Sequence, residues 1–203
     1  MFRMKPLTLL AVAVLASLSL GITWAETPAT TPTAPVADTL QVNYFANANT
    51  AGAPDGTVEL TNPGTSGAAT ICAMIYVFEP DEEMAECCGC SLSANDLRTL
   101  SVNTNLTANP LTGGAGLVGS GTVSIVSATD ATGTCDPRTV TPTPSTRDWG
   151  THILAAGGGF IVTETTFQSA TLGAAELASL EAGCRAIVLE GSGHGICNCG
   201  TGE

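Results

Sequence analysis

Three cysteines in four residues, Cys87-Cys88-Gly89-Cys90, close an apolar run, and Cys197-Asn198-Cys199 stands as their counterpart near the C-terminal end. Thiols at this spacing can do three kinds of chemistry. They can pair as disulfides, they can hold a soft metal as thiolates, or Cys88-Gly89-Cys90 can cycle as a redox pair. Side chains alternate along an extended chain, so Cys88 and Cys90 share one face and Cys87 takes the other. If both stretches are extended, Cys197 and Cys199 share a face as well, and two matched C-x-C pairs can meet across neighbouring segments. Two disulfides satisfy that geometry. So does a metal site of zinc or copper built from Cys87, Cys88, Cys90, Cys197 and Cys199, with His194 as a further soft ligand. The redox reading lacks a thioredoxin-like βαβ context.

The compartment favours disulfides over metal. Arg3 and Lys5 precede the apolar stretch from Leu7 to Ile22, and Thr23-Trp24-Ala25 offers small residues at the cleavage positions, so residues 1–25 read as a secretory signal. The apolar stretch falls short of a spanning helix and no stop-transfer pattern follows, so no stable membrane insertion is expected after signal removal. Exported thiols are oxidised, and the even set Cys72, Cys87, Cys88, Cys90, Cys135, Cys184, Cys197 and Cys199 are all disulfide candidates. Cys87 has Cys72, Cys135 or Cys184 as partners open to it, and a Cys72–Cys184 bond would tie a late helix to a central strand. Closing the long loop between the two C-x-C pairs is worth about 4 kcal/mol in the chain-entropy model.

The elements that must position these cysteines follow from periodicity. Residues 26–39 are rich in Thr, Pro and Ala and form an extended linker, and residues 40–203 form a single β-rich domain. Leu40, Val42 and Tyr44 alternate with Gln41 and Asn43 as in a half-buried strand, and Val58 and Leu60 repeat the pattern after a turn. TICAMIYVF, Thr70 to Phe78, is a continuous apolar run and the central strand. Cys87 to Leu92 is its returning partner. Ser93 to Asp96 can cap a single helical turn, Leu97 to Val102 and Thr122 to Ser127 read as strands, and Thr132 to Trp149 reads as a long surface loop. His152 to Ala155 and Phe160 to Phe167 form two strands around Gly157-Gly158-Gly159. Leu172 to Ala182 is the one helix, with Leu177, Leu180 and Cys184 on one face, Glu176 and Glu181 away from it and Gly183 just past its end. Arg185 to Leu189 then resumes strand. The fold class is mostly β, a disulfide-stapled two-sheet sandwich with one short C-terminal helix, and a small β-barrel is the alternative.

Other chemistry is sparse. Without the signal, Arg98, Arg138, Arg147 and Arg185 are the only fixed cations against 18 acidic residues, a field that repels nucleic acid and anionic membranes. Glu79, Asp81, Glu82, Glu83 and Glu86 are oxygen ligands, but they lack the alternating spacing of a calcium loop and read as a solvated hairpin tip. Gly191-Ser192-Gly193-His194-Gly195 carries no Lys and precedes no helix, which removes a nucleotide loop, and it lacks the nucleophile-elbow pattern. His152 reads as packed near the core, Glu164 as lying on a polar face, and Asn105-Leu106-Thr107 as a chance glycosylation acceptor.

The segment ECCGCSLSANDLRTLS and the ending GSGHGICNCG resemble a group of uncharacterised exported proteins of acidobacteria, from about Val42 onward. That resemblance implies export and brings no activity or ligand with it. The expected function is a non-enzymatic binding or structural role, at the cell surface, in the periplasm or outside the cell, with a protein or cell-surface partner and no cofactor. A metal-binding protein using the cysteine cluster is the alternative, and a secreted hydrolase the second.

Overall fold

A computed structural model describes residues 39–65, 67–108, 118–129, 134–190, 197 and 199. The signal at 1–25, residues 26–38 of the linker, residues 109–117 and His194 lie outside the described residues. Among the described residues there are nine strands and one α-helix: β1 Leu40–Phe45, β2 Thr57–Thr61, β3 Thr70–Phe78, β4 Met84–Ser93, β5 Leu97–Ser101, β6 Gly121–Thr129, β7 Arg147–Ala156, β8 Gly159–Thr166, β9 Gln168–Ala170 and α1 Ala174–Glu190. A short π-helical turn, Val102–Leu106, follows β5. The strands form two antiparallel sheets, β4-β3-β6-β1-β9 and β5-β2-β7-β8, and no closed barrel. Thr39 is already part of the fold, because its carbonyl accepts the Ser127 N–H at 2.9 Å.

Alternation along β3 and β4 divides the interior in two. Ile71, Ala73, Ile75 and Val77 project between the sheets, where Leu60 and Leu100 meet them from the opposite side. Cys72, Met74 and Tyr76 project the other way, beneath Leu180 and Cys184 of α1. An apolar run of this kind is soluble only when both of its faces are covered. The cover on the outer face is α1 together with residues 134–146, so the expected surface loop is a second lid. Tyr76 donates its hydroxyl to the Pro137 carbonyl at 2.8 Å, Pro142 bridges to Ala128, and Thr146 is wholly buried.

Four further expectations are corrected. The helix does not stop at Ala182 but runs to Glu190, through the expected strand Arg185 to Leu189. Gly183 lies inside it, on the side facing β4, where a Cβ would come within 2.8 Å of Met84 Cε at the end of that flexible side chain. Tertiary anchoring overrides the β-branched composition. Glu181, placed away from the packed face, accepts the Val140 N–H at 2.8 Å and pairs with Arg185 at 3.0 Å, bracing the lid. In β1 the polar residues point inward: Gln41 and Asn43 stand opposite Ile125 and Val123 in the inter-sheet face, while Tyr44 is exposed. Ser93 to Asp96 is a tight connection between β4 and β5, with Asn95 in the left-handed region at φ 64°, not a helical turn.

Gly89 marks the tightest approach in the sandwich. A Cβ there would overlap the Cys135 carbonyl and come within 2.9 Å of Met74 Sδ. Cys135 is itself left-handed, at φ 41°, and cannot retreat while bonded to Cys72. Gly89→Ala therefore should lower stability by about 2–4 kcal/mol. Chemical unfolding with intact disulfides measures this, and non-reducing peptide mapping should show the Cys72–Cys135 pair depleted before the other three.

Candidate functional site

All four residues of Cys87-Cys88-Gly89-Cys90 have separate positions set by strand alternation. Cys88 and Cys90 stand opposite Ile75 and Ala73 and point between the sheets. They bond to Cys197 and Cys199, with Cα separations of 5.1 and 5.4 Å. Both bonds span 109 residues, so Cys197 and Cys199 meet β4 in the order in which Cys88 and Cys90 follow along it, and the Cys197 N–H donates to the Cys87 carbonyl at 3.2 Å. Cys87 faces outward and bonds to Cys184 of α1. The helix is thus tied to β4 through one of the three partners open to Cys87; the other pairing considered, Cys72 with Cys184, is not formed, and Cys72 takes Cys135 of the covering loop. No cysteine is free.

Members of all four disulfides line a cavity of about 490 Å³ at the β4 edge, with Asp136 and Arg138 on its rim. Arg138 grips Asp136 with Nε and Nη2 at 2.8 and 2.9 Å, and these charge-assisted bonds hold the Asp136 carboxyl below its usual range. Sγ atoms of Cys88, Cys90 and Cys199 lie within 4.8 Å of one another. That spacing follows from two disulfide rungs set on adjacent inward positions of one strand.

A second polar centre lies at the seam where β1 and β7 face each other, and periodicity did not disclose it. Asp148 is 3% exposed. Thr146 Oγ1 donates to its Oδ2 at 2.9 Å, and Ser127 Oγ and Gln41 Nε2 meet the same threonine oxygen at 2.6 and 3.2 Å. Asp148 Oδ1 has no hydrogen-bond partner. Burial pushes its carboxyl up to about 7, against the smaller downward pulls of the Thr146 hydrogen bond and the Arg147 charge. The signal that could have located it is parity: once β7 is extended back to Arg147, Asp148 falls on the inward face with Gly150 and His152.

The remaining candidates are scattered. His152 is buried in the same seam, with Nε2 2.8 Å from Asn43 Oδ1 and 3.3 Å from Thr165 Oγ1, and its ring centroid is 4.0 Å from that of Tyr44. Desolvation lowers its pKa, which favours the neutral ring. Glu164 is exposed on β8. Glu79, Asp81, Glu82 and Glu83 occupy the β3–β4 connection, where desolvation and then Asp81 and Glu83 raise the Glu79 carboxyl, but Glu86 is buried within β4 and is not part of a solvated tip. Asn105 lies in the π-helical turn and accepts the Ser101 N–H at 2.8 Å. No family model, curated protein or solved structure matches the chain.

Asp148 gives the stability a distinct pH dependence. Its folded pKa is above the ordinary 3.8, so the folded state holds the proton more tightly, and the stabilisation is complete below pH 4 and lost as pH rises through about 7. His152 acts in the opposite direction and is common to both proteins in a comparison with Asp148→Asn. Unfolding curves at acid, neutral and mildly alkaline pH should show the wild type losing a few kcal/mol relative to the variant as pH rises. Parallel curves would remove Asp148 from this role.

Proposed function

We propose that this chain is an exported, non-enzymatic β-domain with a binding or structural role at the cell surface or outside the cell. The observation that carries the reading is the oxidation of every cysteine, with pairs that fasten the strand edge, the helix and the covering loop to one sheet. Such a set persists in an oxidising compartment and not against a reducing cytosol. Among the described residues no helix is long and apolar enough to cross a membrane. His152 supports the non-enzymatic part, because its ring nitrogen is engaged by an amide and a hydroxyl inside the seam. The acidic surface is suited to a protein or cell-surface partner and repels nucleic acid.

Cell fractionation followed by non-reducing peptide mapping tests this reading. The expected outcome is recovery of the protein outside the cytoplasm with the four pairs intact and no free thiol. Reduced protein retained in the cytoplasm would overturn export, and turnover of polymeric substrates by the purified protein, lost in His152→Ala, would overturn the non-enzymatic role.

One observation favours a second reading, a thiolate-bound zinc or copper. The three clustered sulfurs of Cys88, Cys90 and Cys199 are close enough to share an ion once their disulfides are reduced. In that case protein purified under reducing conditions should carry stoichiometric metal by elemental analysis, and Cys90→Ser should release it. Metal-free reduced protein would end this reading.

A further inference from the structure

The two sheets present four edges, and three of them are guarded. At β4, Cys197 and Cys199 lie alongside and are bonded to it. β9 has only 3 residues. β5 has 5 residues and carries Arg98, whose Nε reaches back to the Ser91 carbonyl. Short edges, charged side chains and covering segments are the ordinary protections against strand addition.

Among the described residues β8 is neither short nor covered, and it carries a single charge. It is 8 residues long, GFIVTETT, and pairs only with β7 among the described strands. It contains no proline, lysine or arginine, and Glu164 is its single charge. Its side chains are exposed on both faces, so the β7–β8 hairpin projects beyond the sandwich. Ile161 and Val162 are 53% and 54% exposed, and Leu154, the cross-strand neighbour of Ile161, is 41% exposed. An unpaired backbone edge and an apolar strip therefore coincide.

We infer that β8 is a self-association edge, at which two copies of this chain pair β8 against β8, antiparallel, about a two-fold axis. The strand's own sequence selects the second copy as the occupant, because it can pair with itself without opposing its single carboxylate. The chain carries −12 overall, so two copies repel wherever their acidic surfaces meet, and β8 is a long edge where they do not. The register centred on Val162 sets Val162 against its mate, Ile161 against Thr163 and Phe160 against Glu164. It keeps the two carboxylates from standing opposite each other and places β-branched pairs across the junction. One strand and its flanking side chains make a small contact beside the ~800 Å² per partner of stable complexes, so the association is reversible and concentration-dependent.

Sedimentation velocity on the oxidised, signal-free protein, from about 1 μM to about 1 mM, tests this. The wild type should shift from monomer to dimer across that range. Val162→Arg sets two cations against each other at the junction and should weaken dimerisation at least tenfold, with Ile161→Glu as a second variant should the first misfold. Leu97→Arg, on the exposed side of β5, should dimerise as the wild type does. Circular dichroism and disulfide mapping confirm that each variant is folded. A wild type that stays monomeric throughout would overturn the inference and leave β8 to a different partner, and dimerisation unchanged in folded Val162→Arg or Ile161→Glu would place the contact elsewhere.

Discussion

The alternation of side chains along β4 sends covalent bonds out of both faces of the strand. Cys87 points outward and holds α1. Cys88 and Cys90 point inward and hold the C-terminal segment. Between them Gly89 points outward and leaves room for the backbone of Cys135, whose own bond fastens the covering loop to β3. These bonds close spans of 63 to 109 residues, for which the chain-entropy model gives about 4 kcal/mol each, so the outer lids need little apolar area of their own to stay in place. That economy fits α1, whose buried contacts are concentrated at Leu180 and Cys184 while most of its surface is exposed.

The inter-sheet layer changes character across its width. Around β3, β4 and β2 it is apolar and dry, built from Ile71, Ile75, Leu60, Leu92 and Leu100. Toward β1 and β7 it becomes a hydrogen-bonded seam of Gln41, Ser127, Thr146 and Asp148, adjoined by Asn43 and His152. Buried polar groups are tolerated when they satisfy one another, and most of these do. The exception is Asp148 Oδ1, and its lack of a partner is why desolvation dominates that carboxyl. The strands that bound the polar seam also lead to the exposed β7–β8 hairpin, whereas the disulfides gather at the opposite edge of the other sheet. Covalent restraint is thus concentrated away from the exposed apolar side chains of the β7–β8 hairpin.

Strand positions were largely legible because strand burial writes itself into local sequence. The unbroken apolar run of β3 could only be a strand covered on both faces, and the C-x-C spacing required Cys88 and Cys90 to share an orientation. From those two facts a mostly β sandwich and the inward direction of both cysteines follow without coordinates. Length, export-type N-terminus and even cysteine number add an oxidising environment as an expectation. What periodicity could not supply was the identity of each residue's neighbour. Alternation states that β1 has two faces and not which one meets the other sheet, and Gln41 and Asn43 turn inward because Thr146, His152 and Thr165 offer them hydrogen bonds there. Gly183 has the same composition whether it ends a helix or admits Met84, and only the approach of α1 to β4 decides between them. Cys72 and Cys87 are both outward-facing and equally able, by sequence, to reach the helix. Tertiary structure chose Cys87 because α1 crosses β4 while the covering loop crosses β3, a matter of which segment lies over which strand and therefore of long-range packing.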